Sequence, residues 1–350
     1  MRCRGREPAE ALGLHSDVGI VVIGRNEGER LRACLHSLAG ASHCVYVDSG
    51  STDGSPDLAR SMGVDTVPLI APPKFSAARA RNTGARHLLT NLPEVRFIQM
   101  IDGDCVLEEG WLDRARSHLL RHEDRAAVFG RRRERFPEAS PYNNMCDEEW
   151  AVRPGLVSSC GGDVMFRASA FTEAGGFSDD LVAGEEPELC YRLRRENWTI
   201  ECIDAPMTLH DVALHSFGGW WTRARRAGFA FMELVARYGS SADPEWTRLV
   251  IRAAVWSVII ILGLVATILG WVSGTTLVLG VGVLLLLLVS AKVISMAWGL
   301  RRGRSDPLWP ITFATLLMIS KLAQFQGVLQ SIGARLRGRS SHLIEYKTAA

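Results

Sequence analysis

The feature that most constrains this chain is a run of 39 residues, 253–291, that contains no charged side chain. A soluble core does not need such a run, whereas about 20 helical residues are enough to cross the hydrocarbon layer of a membrane. One helix would overshoot that layer. We therefore predict a transmembrane helical hairpin over residues 253–300, joined near residues 270–276, where Gly, Ser and Thr are concentrated.

Basic residues flank this hairpin on both sides and set its predicted orientation. Arg248 and Arg252 precede it, and three more arginines follow within residues 301–304. Because cytoplasmic loops are rich in Lys and Arg, both ends are predicted to lie in the cytosol. A third apolar segment, residues 308–320, is short, so we predict that residues 301–350 form a re-entrant or interfacial helix and a basic cytosolic tail. The expected location is the inner, cytoplasmic membrane, with a multi-pass anchor.

The part of the chain before the hairpin has the pattern of an α/β domain. We assign residues 17–240 to this domain, residues 1–16 to a polar tail and residues 241–252 to a linker. The predicted strands are residues 18–23, 44–47, 64–70 and 95–101. Helical periodicity separates them, which favours a Rossmann-like, mostly parallel sheet with helices on both faces. Ligands of such sheets bind at the carboxyl ends of the strands, and this domain is expected to be cytosolic.

Charge, cysteines and the N-terminus exclude several classes of protein. The formal net charge is only +2, which leaves no domain-wide basic excess for binding nucleic acid. The eight cysteines form no close CxxC pair, so they are interpreted as free thiols in a reducing compartment. The N-terminus has no apolar region typical of a secretory signal.

The segment FIQMIDGDC, residues 97–105, ends a predicted buried strand on two carboxylates, Asp102 and Asp104. An Asp-Gly turn is one explanation. The other is a site for a hard divalent cation, Mg²⁺ or Mn²⁺, because residues i and i+2 at a strand end can point the same way and supply oxygen ligands. The motif alone does not decide between the two.

Two more polar segments follow predicted strands. VDSGSTDGS, residues 47–55, contains Asp48 and Asp53, which suit either a tight turn or contacts to the base or ribose of a nucleotide. Arg25, Asn26 and Glu27 end the first strand in the same predicted crevice. Neither GxGxxG nor GxxxxGK[ST] follows that strand, which disfavours a dinucleotide dehydrogenase or a P-loop enzyme.

Taken in order, the motifs VVIGRNEGERLRACLHSL, VDSGSTDGS, ARARNTGA, MIDGDC and GEEPELCYRLRRENW resemble those of family 2 glycosyltransferases with the GT-A fold. The resemblance covers roughly residues 18–238. It implies that the first-strand motif and Asp48 hold a nucleotide sugar, and that Arg81 and Asn82 line the donor pocket. It also implies that Asp102 and Asp104 form the metal-binding DxD motif, with Asp102 next to the donor.

The resemblance also places a catalytic base on the second residue of a Glu-Asp pair, which corresponds to Glu186. This chain has Glu185 and Glu186 there, so which glutamate reaches the acceptor stays open. Pro187 suits the first position of a helix, where a carboxylate beside the N-terminus stays ionised. The bland alternative is that these glutamates only favour a helix start.

Several further residues are candidates for contact with an acceptor or a metal. Gly161, Gly162 and Asp163 resemble an acceptor-side loop, although Asp163 could instead cap a turn. His210 could complete the metal shell or be an ordinary buried histidine. A further candidate group comprises Trp220 and Trp221 with Arg223, Arg225 and Arg226, which could either form an amphipathic helix at the membrane surface or hold the phosphate of an acceptor. The arginines at 131–133 are either a solvated charge run or a contact for a diphosphate or an anionic lipid.

The sequence therefore predicts a membrane-anchored, inverting, metal-dependent glycosyltransferase. The expected donor is a nucleotide sugar, most simply a UDP-sugar, and the expected acceptor is the hydroxyl of a lipid-linked or polyprenyl-linked glycan for envelope polysaccharide. QxxRW, which the processive synthases of the family carry, is absent, so one sugar is transferred per acceptor. Two alternatives remain: transfer to polyprenyl phosphate itself, and an inactive homologue that serves as a membrane scaffold.

Overall fold

The computed structural model describes residues 16–71, 75–300 and 306–337. Predictions about the N-terminal tail, Cys3, the arginines within 301–304 and the tail beyond residue 337 fall outside these ranges. The chain divides into two compact units. The first comprises residues up to 135, 149–181 and 185–212, and the second comprises residues 136–148, 182–184 and those from 213 onward.

The first unit is built on a nine-stranded sheet. Its strands are β1 (Val18–Gly24), β2 (Cys44–Asp48), β3 (Asp65–Pro68), β4 (Phe97–Asp102), β5 (Cys105–Leu107), β6 (Arg125–Glu134), β7 (Gly155–Leu156), β8 (Val164–Arg167) and β9 (Thr199–His210). Its helices are α1 (Glu29–Ser37), α2 (Ser55–Ser61), α3 (Ala77–Asn91), α4 (Trp111–Arg121), α6 (Ala168–Glu173) and α7 (Glu185–Arg195). A further helix, α5 (Pro141–Glu149), belongs almost entirely to the second unit.

The strand order is β3-β2-β1-β4-β8-β6-β9-β5, with β7 paired to β9. Strands β1 to β4 are parallel neighbours, as the alternation of strands and helices predicts. The second half of the sheet is mixed, because β8 is antiparallel to both β4 and β6 while β6 and β9 are parallel. The predicted α/β fold is confirmed, and the sheet is parallel mainly in its first half.

Apolar runs that are buried on both faces explain the centre of the sheet. The first six residues of β1, VGIVVI, are all buried, which is typical of a parallel strand covered by helices on both sides. Helix α3 is capped at its N-terminus by Ser76, whose side chain accepts a hydrogen bond from the N–H of Arg79. A Cβ added at Gly84 would lie only 2.4 Å from Cγ1 of Val21, so this glycine lets α3 approach β1 closely.

The second unit is helical. It contains α5 and the four long helices α8 (Phe217–Tyr238), α9 (Pro244–Ser273), α10 (Thr276–Leu300) and α11 (Trp309–Leu336). Helices α9 and α10 form the expected hairpin: Gly274 adopts the left-handed conformation that ends α9, and α10 begins two residues later. Gly270 and Gly282 lie at the contact, since a Cβ on either would come within 2.4 Å of the facing helix backbone.

Helices α9, α10 and α11 are each long and apolar enough to cross a membrane. Residues 244–252, which the sequence assigned to a linker, are the first turns of α9, because the side chain of Asp243 caps the helix and Pro244 suits its first turn. Helix α11 is one continuous helix of 28 residues. Its re-entrant or interfacial placement stays a prediction.

Candidate functional site

The carboxyl ends of β1, β2 and β4 meet at one edge of the sheet. Gly24, the last residue of β1, pairs with Asp48, and Ile23 pairs with Asp102. Asp48 and Asp102 therefore flank β1 at the edge where sheets of this kind bind ligands.

Asp102 is the last residue of β4, and 32% of its side chain is exposed. Its Oδ1 accepts a hydrogen bond of 2.8 Å from Nη2 of Arg81. Its backbone N–H donates to Oδ1 of Asp163 at 3.1 Å. Gly162 lies against the same carboxylate, because a Cβ on it would lie 3.2 Å from Oδ2 of Asp102 and 2.5 Å from Nη2 of Arg81. Asp102 thus presents its carboxylate from a fixed backbone position.

Asp104 is buried and lies beside His210. Strand β5 pairs with β9 in a register that sets Cys105 opposite His210, so the residue before Cys105 comes next to the imidazole. Nε2 of His210 lies 3.1 Å from Oδ2 of Asp104. Ligand atoms of Asp104, Cys105 and His210 all lie within 4.8 Å of one another. The structure therefore brings together two of the three residues predicted to bind a metal.

The imidazole of His210 is held on its face by Trp150. The two rings stack with their centroids 4.7 Å apart and their planes inclined by 9°. Nδ1 of His210 is buried and has no hydrogen-bond partner among the residues that the structure describes. Burial alone would lower the pKa of His210, but the carboxylates of Asp104 and Asp163 outweigh it and raise the pKa above its usual value.

Asp163 is the buried centre of this region, with 1% of its side chain exposed. Besides the N–H of Asp102, it accepts hydrogen bonds from Nε of Arg132 at 2.9 Å, Oγ1 of Thr208 at 3.1 Å and Sγ of Cys105 at 3.2 Å. Burial alone would raise the pKa of Asp163, but Arg132, His210 and the hydrogen bonds from Asp102 and Cys105 lower it overall. The proposed acceptor contact by Asp163 stays a prediction, whereas the contacts that the structure shows hold the loop of Asp102.

Successive side chains of strand β6 point to opposite faces, and this separates the arginines at residues 131–133. Arg131 is exposed and pairs with Asp204, whereas Arg132 turns inward to Asp163. The guanidinium of Arg132 lies 5.8 Å from the ring centroid of Trp150. A Cβ at Gly161, whose φ is +81°, would lie 2.9 Å from Nη1 of Arg132, so this glycine makes room for the arginine. The middle arginine of the run therefore belongs to the site.

Arg81 joins the DxD strand to the start of α7. Its side chain is 4% exposed; Nη2 contacts Asp102 and Nη1 contacts Oε1 of Glu185, each at 2.8 Å. Burial alone would lower the pKa of Arg81, but Asp102 and Glu185 raise it, so the guanidinium is charged. Glu185 is therefore committed to an ion pair.

Glu186 follows in the first turn of α7. Its Oε1 accepts hydrogen bonds from the N–H of Cys160 at 2.6 Å and from Sγ of Cys190 at 3.0 Å. Helix α7 begins at Glu185 rather than at Pro187, which sits at its third position. That position is also compatible with proline, because the first four N–H groups of a helix have no intrahelical acceptor.

The loop after β1 is tied to the loop after β2. The N–H of Asn26 donates to Oγ of Ser51, and Oδ1 of Asn26 accepts from the N–H of Thr52 at 2.8 Å. Oδ2 of Asp53 accepts from the N–H of Gly28 at 3.0 Å. Hydrogen bonds of Asn26 and Asp53 thus connect the two loops.

Asp48 is buried and forms an Asx-type turn, accepting hydrogen bonds from the N–H groups of Gly50 and Ser51 and from the hydroxyl of Tyr46. Glu27 is also buried and pairs with Arg30. The turn explanation therefore holds for Asp48 in this structure, while its contact with a nucleotide stays a prediction.

Two other predicted donor-pocket residues contact neighbouring residues of the protein. The side chain of Asn82 bonds both the N–H and the carbonyl of Phe177 as well as Oδ1 of Asp179. The guanidinium of Arg25 lies 5.6 Å from the ring centroid of Phe75. Asn82 therefore anchors the loop that precedes α7.

The predicted acceptor residues on α8 belong to the second unit. Trp220 is buried there, stacked on Tyr142 with centroids 5.6 Å apart. Trp221 donates from Nε1 to Oε1 of Gln326 at 2.8 Å. Arg223 lies on the same helix. Their role toward an acceptor stays a prediction.

Several residues at the site were not predicted from the sequence motifs. Trp150 carried no motif, and Cys160 and Cys190 were judged scattered although their Sγ atoms are 3.5 Å apart. The E-x-x-x-C spacing from Glu186 to Cys190 was a signal for two side chains on one helix face. No spacing in the sequence indicated that Cys160, which precedes β8, would lie beside these two residues.

Comparisons with known proteins support the sequence motifs. A family model described as Glycosyl transferase family 2 matches residues 19–156, which include Asp48, Asp102 and Asp104 but neither α7 nor His210. Two Mycobacterium tuberculosis proteins, from strains CDC 1551 / Oshkosh and H37Rv, each described as pre-mycofactocin glycosyltransferase, are 25% identical over 240 residues. The match covers 66% of this chain and 50% of each relative, so the chain spans about half the length of these relatives.

Among solved structures, the chain resembles a mannosyltransferase from Pyrobaculum calidifontis in complex with GDP-Man and Mn²⁺. The TM-score is 0.54 and the identity is 17%, with 90% of this chain and 87% of the other covered. At this identity the likeness concerns the fold, which is that of a GT-A glycosyltransferase.

Proposed function

Starting from a chain that carries a family 2 glycosyltransferase domain, we propose that this protein transfers one sugar, with inversion, from a nucleotide-diphosphate sugar to an acceptor hydroxyl. A UDP-sugar is the expected donor. The acceptor is a lipid-linked or polyprenyl-linked glycan for envelope polysaccharide, reached from the cytosolic face of the inner membrane. Helices α9 and α10 supply the anchor.

One observation supports this proposal above the others. Arg81 contacts both Asp102 of the DxD motif and Glu185 at the start of α7, at 2.8 Å each. The buried guanidinium group of Arg81 thereby connects two motifs that are 83 residues apart in the chain. A metal-binding motif and a carboxylate on a facing helix are the two parts that an inverting transfer needs.

The residues around Asp104 suit a divalent cation. A buried carboxylate and an imidazole 3.1 Å apart offer oxygen and nitrogen ligands, and Nδ1 of the same imidazole is buried without a partner among the described residues. This donor set fits Mn²⁺, and Asp102 adds a further oxygen that is partly exposed. Asp104, His210 and Asp102 would hold the ion. When bound, it supplies Lewis-acid stabilisation of the departing diphosphate.

The chain's own side chains divide the remaining work. Glu185 is neutralised by Arg81, so the base is assigned to Glu186, whose Oε1 is fixed by Cys160 and Cys190. Glu186 accepts the proton of the acceptor hydroxyl as its oxygen attacks the anomeric carbon from the face opposite the leaving nucleoside diphosphate. Arg132 pairs with Asp163, which accepts a hydrogen bond from the N–H of Asp102, so Arg132 positions the DxD motif through Asp163.

Transfer assays on the full chain in detergent test the proposal. UDP- and GDP-sugars are offered with Mn²⁺ or Mg²⁺ and with polyprenyl-diphosphate-linked sugar as acceptor, and nucleotide release is measured. We expect metal-dependent transfer that Asp104→Asn abolishes and that Glu186→Gln lowers by at least about 100-fold, because a general base contributes about 10² to 10⁴ in rate. Glu185→Gln is the matched control and should lose less.

The acceptor class is decided in the same assay. A phosphate oxygen is already anionic and needs no base, so full activity of Glu186→Gln toward polyprenyl phosphate would favour a phosphate acceptor. Absence of metal-dependent nucleotide binding in the wild type would favour a scaffold and refute the proposal.

A further inference from the structure

A second cluster of ligand-type side chains lies beside the proposed base. Cys160 precedes β8, while Glu186 and Cys190 lie one turn apart on α7. The two Sγ atoms are 3.5 Å apart, and Sγ of Cys190 is 3.0 Å from Oε1 of Glu186. One ligand atom from each of the three residues can be chosen so that all lie within 4.8 Å of one another.

The arrangement is close to that of a tetrahedral soft-metal site. With Zn–S bonds of about 2.3 Å and tetrahedral angles, two thiolates lie about 3.8 Å apart, and a thiolate and a carboxylate oxygen about 3.6 Å apart. The observed separations of 3.5 and 3.0 Å would have to open by about 0.3 and about 0.6 Å to reach these values. Residues i and i+4 of one helix supply two ligands, and a facing loop supplies the third.

The chemistry of the donor set selects the ion. Thiolates are soft ligands that favour Zn²⁺ over Mg²⁺ or Mn²⁺, whereas the cluster of Asp104 and His210 is dominated by oxygen and nitrogen. The thiols are almost fully enclosed, with Cys160 4% and Cys190 0% exposed, while Glu186 is only partly buried. Three protein ligands leave a fourth position for water.

We propose that Cys160, Glu186 and Cys190 form a zinc site that is distinct from the divalent-cation site of the DxD motif and that withdraws Glu186 from catalysis when zinc is bound. Zn²⁺ replaces the two thiol protons, which pass to solvent, and takes up the carboxylate that otherwise accepts a proton from the acceptor. The loop of Gly161 and Gly162 is then held to α7. Zinc binding is independent of the proposed function, whereas inhibition by zinc depends on it.

Cobalt provides a direct spectroscopic test of binding. Purified full chain in detergent, reduced with a phosphine, is titrated with Co²⁺, which gives intense thiolate charge-transfer bands and tetrahedral d–d bands on binding to cysteines. We expect one equivalent with these bands, displaced by Zn²⁺. Cys160→Ser and Cys190→Ser should lose the bands and bind Zn²⁺ more than about tenfold more weakly.

Matched controls come from other buried thiols of the same chain. Cys105→Ser alters the only other ligand cluster found in the described residues, and Cys202→Ser alters a buried thiol on β9 outside both clusters. Both should keep the cobalt bands. Loss of the bands in Cys105→Ser with retention in Cys160→Ser would move the site to the other cluster and overturn the proposal.

A measurement on wild-type protein guards against variants that fail to fold. X-ray absorption of the zinc-loaded chain should show two sulfur neighbours at about 2.3 Å and lighter neighbours at about 2.0 Å. One sulfur neighbour, or none, contradicts the proposal.

Inhibition is measured separately, in the transfer assay with Mn²⁺ present. One equivalent of Zn²⁺ should stop wild-type turnover, whereas it should change the turnover of Cys160→Ser far less, when each protein is compared with itself in the absence of zinc. Zinc-bound wild type that turns over normally refutes the inhibitory role. If no nucleotide sugar is turned over even without zinc, the proposed function fails while the cobalt titration still decides the zinc site.

Discussion

Replacing Asp163 with asparagine is expected to destabilise the first unit strongly. The carboxylate is 1% exposed and its partner Arg132 is 14% exposed, so neither charge has water to replace the other. Breaking a buried ion pair by removing one partner costs about 3–5 kcal/mol. Asparagine keeps one acceptor oxygen but turns an NH₂ group toward donors, which leaves the guanidinium of Arg132 uncompensated.

At about 2–4 °C per kcal/mol for a unit of this size, the unfolding temperature of Asp163→Asn should fall by roughly 6–20 °C. The measurement is thermal unfolding in detergent at one fixed heating rate, with hydrogen exchange of peptides from β4 and β8 to assign the loss to the first unit. Asp204→Asn is the matched control on β9. This substitution breaks the ion pair between Asp204, which is 68% exposed, and Arg131, which is 48% exposed. It should lower the free energy of unfolding by only about 0–1 kcal/mol. Equal effects of the two substitutions would refute the role of burial.

Two further predictions concern helix packing and pH. Gly228→Ala should force α8 away from α11 and lower stability, because its Cβ would lie 2.0 Å from the carbonyl oxygen of Gln324, whereas Gly218→Ala on the same helix meets nothing within 4 Å and should be neutral or stabilising; thermal unfolding compares the two. Burial alone would raise the pKa of Glu201, but its hydrogen bond with Arg125 lowers it overall, so this carboxylate stabilises the fold above pH about 4.3 and the contribution is lost as pH falls through the lowered pKa. Glu201→Gln should therefore unfold at a lower temperature than wild type at pH 7, and this difference should be smaller near pH 3. A difference in unfolding temperature that grows on acidification would contradict the prediction.

Local pattern was sufficient to predict the first half of the sheet. The β-branched runs gave the strands that pack between helices, and their parallel order placed Asp48 and Asp102 at one edge. The fold class and the glycosyltransferase resemblance are confirmed. The length of the uncharged run also predicted the helical hairpin, since the left-handed Gly274 ends α9 inside the predicted turn.

Partners across long stretches of chain could not be predicted in the same way. Strand β8 lies antiparallel between β4 and β6. The sequence of its four residues does not predict that position in the sheet. The insertion carries the residues just before β8 to the DxD loop, which is why Asp163 bonds the N–H of Asp102 from 61 positions away. The same insertion brings Cys160 to Cys190. Such contacts depend on strand order, which local pattern does not specify.

The balance of formal charge supports the proposal that a divalent cation accompanies a diphosphate at this site. Four carboxylates and two guanidinium groups belong to it: Asp102, Asp104, Asp163, Glu185, Arg81 and Arg132. The sum is −4 + 2 = −2, or −1 when His210 carries a proton. Arg81 is shared between Asp102 and Glu185, and Arg132 is paired with Asp163, so the two guanidinium groups do not balance the four carboxylates. A diphosphate approaching this edge would be repelled by the remaining charge. A divalent cation at Asp104 and His210 would cancel that charge, so the proposed function predicts that nucleotide binding depends on the metal, which a binding measurement with and without Mn²⁺ checks.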